Sequence, residues 1–169
     1  WRGEVYTRQL YGEAEAVISA DLRELSAYST ILAAIARGEN KLNDIFHATG
    51  FSRAKISVYL KNLAACIIVE KVVSFETGGW ENAKKGVYQI KDTFVNFWFK
   101  FVYPNMSNLY LLSPEEFYDT YIEKELDEYL ERYFREVCTE YLLILNQMGQ
   151  LPFTIKREGT GIGKTGRIE

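Results

Sequence analysis

From residue 25 the apolar positions fall into a helical period. "LSAYSTILAAIAR", residues 25–37, places Leu25, Tyr28, Ile31, Leu32 and Ile35 on one face and predicts a helix stopped by Gly38. "NKLNDIFHATG" predicts a short second helix from about Lys41, with Leu42, Ile45 and Phe46 inward and Gly50 as its stop. "FSRAKISVYLKNLAAC" predicts a third, with Ser52 as N-cap and Ile56, Tyr59, Leu60 and Leu63 inward. The period then changes. "CIIVEKVVSFE" is β-branched and roughly alternating, "TGGWENAKKG" is rich in turn formers, and "VYQI" is a second strand candidate. Three helices joined through a glycine-containing turn and followed by a hairpin predict a winged helix-turn-helix.

Beyond the hairpin the pattern is helical again. "KDTFVNFWFKFVYPN" offers Asp92 as a cap, a helix over 93–102 and Pro104 as its end. Phe94, Phe97, Trp98 and Phe101 form one stripe, and only Asn96 and Lys100 are polar inside the segment. A helix this apolar is expected to be buried on several sides. Residues 105–113 read as a loop. From Pro114 to about Gln147 one long amphipathic helix is predicted, with Ile122, Leu126, Tyr129, Leu130, Tyr133, Val137, Cys138, Tyr141 and Leu142 on its apolar face. Eight acids between 115 and 131 lie on the opposite, solvated face. Gly149 ends it, and "LPFTI" is read as the start of a strand. The expected fold class is mainly α with a small β-hairpin: a winged helix-turn-helix, an aromatic helix, then a long amphipathic helix. The expected units are 1–23, a linker or the end of an upstream domain; 24–91, the winged helix; and 92–169, a helical part.

Charge adds an asymmetry. The net charge is −3, yet residues 24–91 carry nine Lys or Arg against six Asp or Glu, and residues 92–169 carry eight against thirteen. A mildly basic first part precedes an acidic second part. Cys66 and Cys138 are the only cysteines and His47 the only histidine, so no structural zinc site is expected. Both cysteines read as reduced core residues of a cytoplasmic protein. No run of eighteen apolar residues marks a membrane span.

The candidate chemistry lies on the third helix and the wing. Ser52, Arg53, Lys55, Ser57, Lys61 and Asn62 are the outward set, and Lys84 and Lys85 follow in the wing. In a helix-turn-helix these side chains face the major groove and its phosphates. Five cations allow about five phosphate contacts and a salt slope near −4 to −5. The alternative is a protein-interaction module, with Trp80 between glycines at the wing tip as an exposed anchor. In that reading Phe94, Phe97, Trp98 and Phe101 form an interface to another domain. The glycine-rich end, "REGTGIGKTGRIE", has the Gly163-Lys164-Thr165 close of a Walker A loop. Glu158 stands where its first glycine belongs, and only four residues follow Thr165, so a phosphate-binding loop is not expected.

"YSTILAAIARGENKLNDI", "ISVYLKNL", "KKGVYQIKDTFVNFWFKFVYPN" and "YFREVCTEYL", in this order, resemble the C-terminal half of archaeal and bacterial AAA-like ATPases. The resemblance covers about residues 25–145. Its most specific part is Lys85, Tyr88, Asp92, Phe97, Trp98, Phe99, Pro104 and Asn105. In that family a winged helix follows the ATPase core, and a domain similar to PD-(D/E)XK nucleases comes next. The resemblance implies that the P-loop core lies upstream of Trp1 and that this chain is a piece of a longer protein. It implies that "GTGIGKTG" leads into a nuclease-type strand, with Glu169 the first acid of a Glu-Ile-Asp motif. Family members carry Phe-Glu in the long helix, where this sequence has Phe134-Arg135-Glu136. One step on a helix turns a carboxylate by about 100°, which points to a degenerate nuclease. For this chain alone the implied catalytic residues, metal ligands and cofactors are none. The implied partners are DNA and the parent's ATPase domain or another protein, with no membrane.

Overall fold

A computed structural model describes residues 25–73 and 86–156, together with the backbone of 161–162 and 167–168. Residues 1–24, Trp80, Lys84, Lys85 and most of the glycine-rich end lie outside the described residues.

The first five elements follow the sequence pattern. Helix α1 is Leu25–Ala36, α2 is Leu42–Thr49 and α3 is Arg53–Ala65. Strands β1, Val69–Val72, and β2, Val87–Ile90, pair antiparallel, with Val69 opposite Ile90 and Val72 opposite Val87. Tyr28, Ile31, Leu32, Ile35, Ile45, Ile56, Leu60 and Leu63 are buried in the centre of the three helices. Gly50 takes a left-handed φ of 70° and its N–H donates to the Phe46 carbonyl, closing α2 and turning the chain into α3. Only glycine adopts that backbone without Cβ strain. The Tyr88 N–H donates to the Asn40 carbonyl at 2.7 Å, which ties β2 to the α1–α2 turn. Mostly helical with a two-stranded sheet, the described chain is a winged helix-turn-helix continued by further helices.

Asp92 caps the next helix, accepting from the Val95 N–H at 2.8 Å. The expected uniform helix over 93–102 is not what forms. Helix α4 covers only Thr93–Phe97, and Trp98–Val102 is π-helical, with the Tyr103 N–H donating to the Trp98 carbonyl. The wider turn lets Trp98, Phe99, Phe101 and Val102 all be buried while Lys100 points to Glu125 at 2.9 Å. Pro104 has no N–H to give the next turn, and the Asn105 side chain donates to the Phe101 carbonyl instead, at 2.9 Å.

Three more expectations are corrected. The supposed loop at 105–113 contains a short helix, α5, Met106–Leu109. The long helix is two: α6, Pro114–Tyr121, and α7, Glu123–Gln147. They break at Ile122, which is buried, with φ −116°. A capping box of Ser113 and Glu116 starts α6, and hydrogen bonds from Ser113 hold the Glu116 carboxyl below its usual range. "LPFTI" forms no strand, because Asn146 clamps Ile155 through both its amide nitrogen and its oxygen. The backbone of β3, Gly161–Ile162, pairs antiparallel with β4, Arg167–Ile168.

One hydrophobic core runs from Tyr28 in α1 through Trp98 and Phe101 to Phe117 and Ile122. Leu126 and Tyr129 at the start of α7 pack on it. The rest of the predicted apolar face does not: Leu130, Val137, Tyr141 and Leu142 are exposed. Among the described residues the hydrophobic core reaches only the first turns of α7. Cys66 and Cys138 are free and half-buried; Cys66 packs against the core, whereas Cys138 does not.

Candidate nucleic-acid interface

Helix α3 is positioned by its own apolar stripe and capped by Ser52, whose hydroxyl accepts from the Lys55 N–H at 3.2 Å. Arg53 follows the cap and is exposed. Its Nε donates to the Asn43 carboxamide oxygen at 3.0 Å, and its guanidinium stacks 4.2 Å from the centre of the Phe46 ring. Two α2 residues thus fix the direction of an exposed cation, and a planar guanidinium suits both stacking and bidentate bonds.

The other candidates divide. Ser57 and Lys61 are exposed along the same helix, and the Ser57 hydroxyl donates back to the Arg53 carbonyl at 2.8 Å. Lys55 is half-buried rather than outward, its ammonium over the Phe51 ring at 4.7 Å and the Tyr59 ring at 5.3 Å. Asn62 is exposed, but its amide donates to the Tyr28 hydroxyl at 2.8 Å. The outward surface that remains is Arg53, Ala54, Ser57, Val58 and Lys61, a narrow strip with two cations. Sequence reasoning missed Val58, 57% exposed in its middle, because one β-branched residue breaks no helical pattern. It also missed Asn43 and Phe46 as the holders of Arg53. Their signal was a spacing of three on α2, which puts both on one side of that helix.

Of the aromatic interface candidates, Trp98 and Phe101 are buried, and Phe94 and Phe97 half-buried. Phe97 and Phe101 meet the Tyr129 ring edge-on, at 6.1 and 5.2 Å between ring centres, so they join the winged helix to α7. A cavity of about 470 Å³ lies beside this joint, between the end of α1, β2 and α7. At its wall the Ile90 carbonyl accepts from the Asn96 amide at 3.4 Å and from Arg132 Nη2 at 3.3 Å. The Tyr129 hydroxyl donates to the Thr93 carbonyl at 3.3 Å. The last residue of the hairpin is therefore bonded to both helices beyond it. Among the described residues no group of three or more His, Cys, Asp or Glu could hold a metal ion. None of the described helices is long and apolar enough to cross a membrane.

Residues 98–162 match DUF234. That family is described as archaeal and bacterial proteins of unknown function. The match begins inside the aromatic segment and runs through α5, α6 and α7 to β3. The chain is also similar to an uncharacterized protein, MJECL04, of Methanocaldococcus jannaschii. The two are 32% identical over 148 residues, which is 87% of this chain and 32% of that protein. The chain spans about a third of the length of this curated relative. No solved structure matches.

Proposed function

We propose that the winged helix binds double-stranded DNA, as one unit of a longer protein related to AAA-like ATPases. The observation that supports it most is Arg53, held by Asn43 and Phe46 at the start of a third helix whose outer face is uncovered among the described residues. A side chain fixed before contact loses less rotamer entropy on binding. In the major groove the first turn of such a helix meets base edges, and Lys61, two turns on, meets the backbone. The two outward cations, Arg53 and Lys61, allow about two phosphate contacts and a salt slope near −2. Lys84 and Lys85, the wing cations expected from sequence, would bring the total to four, one fewer than the five expected, because Lys55 is half-buried over aromatic rings.

The test is fluorescence anisotropy with a short duplex over a range of salt. The Arg53→Ala, Lys61→Ala double variant should bind more weakly to every sequence, with the slope of log K against log salt flatter by about two units. Unchanged affinity at low salt would reject DNA binding by this face.

A second reading has its own observation. Val58 and, at the far end of α3, Ile67 are exposed apolar side chains, 57% and 67% accessible. They suit a protein surface, such as that of the ATPase domain in the parent, better than a phosphate backbone. Val58→Ser separates the two, since it leaves the charge for DNA intact and removes the apolar anchor for a protein.

A further inference from the structure

The later turns of α7 carry more apolar surface than the described chain covers. Leu130, Phe134, Val137, Tyr141, Ile144 and Met148 are 47–68% exposed. Their spacing is four, three, four, three, four, a single seam of the kind two packed helices share. Of the two residues that dock α7 on the core, Tyr129 is about 100° from Leu130 around the helix, while Leu126, one turn before Leu130, is where the same face passes from the core into the exposed seam. The described chain leaving α7, residues 148–156, does not cover the seam either. It is pinned to Asn146, where the Ile155 N–H donates to Oδ1 at 2.7 Å. Asn146 lies about 200° from Ile144, on the other side of the helix.

We propose that this seam is a self-association surface, on which a second copy of the chain packs its own α7 antiparallel to the first. Three features support that occupant. The six side chains offer on the order of 600 Å² per copy, toward the ~800 Å² a side of a standard interface and above most crystal contacts. Their sizes alternate to suit the arrangement. With the dyad at Thr139, Leu130 meets Met148 of the second copy, Phe134 meets its Ile144, and Val137 meets its Tyr141. The Phe134–Ile144 and Tyr141–Val137 layers each set a larger side chain on a smaller one, and Leu130 meets a side chain of about its own volume in Met148. A parallel pair would stack Phe134 on Phe134 and Tyr141 on Tyr141. Charge gives the same orientation. Glu123, Glu125, Asp127, Glu128 and Glu131 crowd the first part of α7, and no acid follows Glu140 before the helix ends at Gln147. Antiparallel packing lays each acidic part beyond the uncharged "YLLILNQ" of the other copy, whereas parallel packing sets acid beside acid. Cys138 flanks the dyad on the edge of the seam.

Sedimentation equilibrium of the 169-residue chain tests the proposal. The expected result is a concentration-dependent species of twice 19.6 kDa. Phe134→Glu and Ile144→Glu should each weaken association at least ~100-fold. Both sites are exposed, so circular dichroism should be unchanged. In a Cys66→Ser background a short bis-maleimide should join two copies through Cys138, and Phe134→Glu should abolish the product. A mass of 19.6 kDa at every concentration up to ~200 μM overturns the proposal and leaves the seam to another segment or protein. A dimer that survives both glutamates overturns the surface. A dimer that is lost with them but never cross-links through Cys138 overturns the antiparallel arrangement.

Discussion

Tyr129 shows how much one residue holds. Its ring contacts Phe97, Phe101 and Tyr133, and its hydroxyl bonds the Thr93 carbonyl. Burial, with the Tyr133 hydroxyl beside it, pushes the Tyr129 hydroxyl far above the ordinary tyrosine range, and burial raises Tyr88 as well. A folded-state value raised above the unfolded one means stability fully present below the unfolded value of about 10 and lost as pH rises toward the folded value. The urea midpoint should therefore be flat from about pH 7 to 9.5 and fall beyond. Tyr129→Phe should shrink that alkaline fall, at the cost of the bond to Thr93; an equal fall in both proteins would show that other tyrosines govern it. The caps at Ser52 and Asp92 were legible in the sequence because each side chain bonds its own backbone three residues on. Tyr129 was legible only as an apolar position, since Phe97, Phe101 and Thr93 lie more than twenty-five residues away in the chain.

Among the elements, those made by local pattern fall close to where the sequence placed them, though β1 begins at Val69, three residues into its alternating run, and those shaped by tertiary packing were not legible. β2 falls on "VYQI" and α3 follows the Ser52 cap. The π-helical turn has no signature, because "FVNFWFKFV" satisfies an α-helix equally well. Only the demand to bury Trp98, Phe99, Phe101 and Val102 together selects the wider winding. The break at Ile122 is of the same kind. The turn from α3 to β1 holds a conflict the sequence conceals. Ile67 sits at the position after the helix cap with φ 60°, where glycine is usual, and donates to the Ala64 carbonyl. A β-branched residue there costs about 1–2 kcal/mol, and little burial offsets it because Ile67 is exposed. Ile67→Gly should raise stability by about 1 kcal/mol in urea unfolding, after the larger unfolded-state entropy of glycine is deducted. A loss would mean that the side chain has a packing role. If Ile67 serves protein docking, the same variant should weaken that docking while leaving the fold firmer, a trade expected where strain sits at a working surface.

At the scale of the whole molecule, the winged helix and the first turns of α7 share one core. Trp98 is 4% exposed within it. Trp98→Ala should cost about 3–5 kcal/mol. It should lower the stability of both parts in a single transition, followed by circular dichroism and by proteolysis on each side of Trp98. A variant in which the winged helix keeps its full stability while α7 melts would show two independent units. The outward strip of α3 was legible as a set of polar residues. Lys55 and Asn62 were not legible as engaged with aromatic neighbours, because those contacts are tertiary. The shared core also makes α7 a rigid arm. It is gripped at its base through Arg132 on the Ile90 carbonyl and Tyr129 on the Thr93 carbonyl, next to the end of β2. Met148 stands nineteen residues past Tyr129, about 28 Å along the axis. A tilt of about 10° at the grip would carry the tip through about 5 Å. A displacement of the hairpin too small to disturb its own two strands would thus be geared up several-fold at the far end, as in a lever pivoting on two peptide carbonyls.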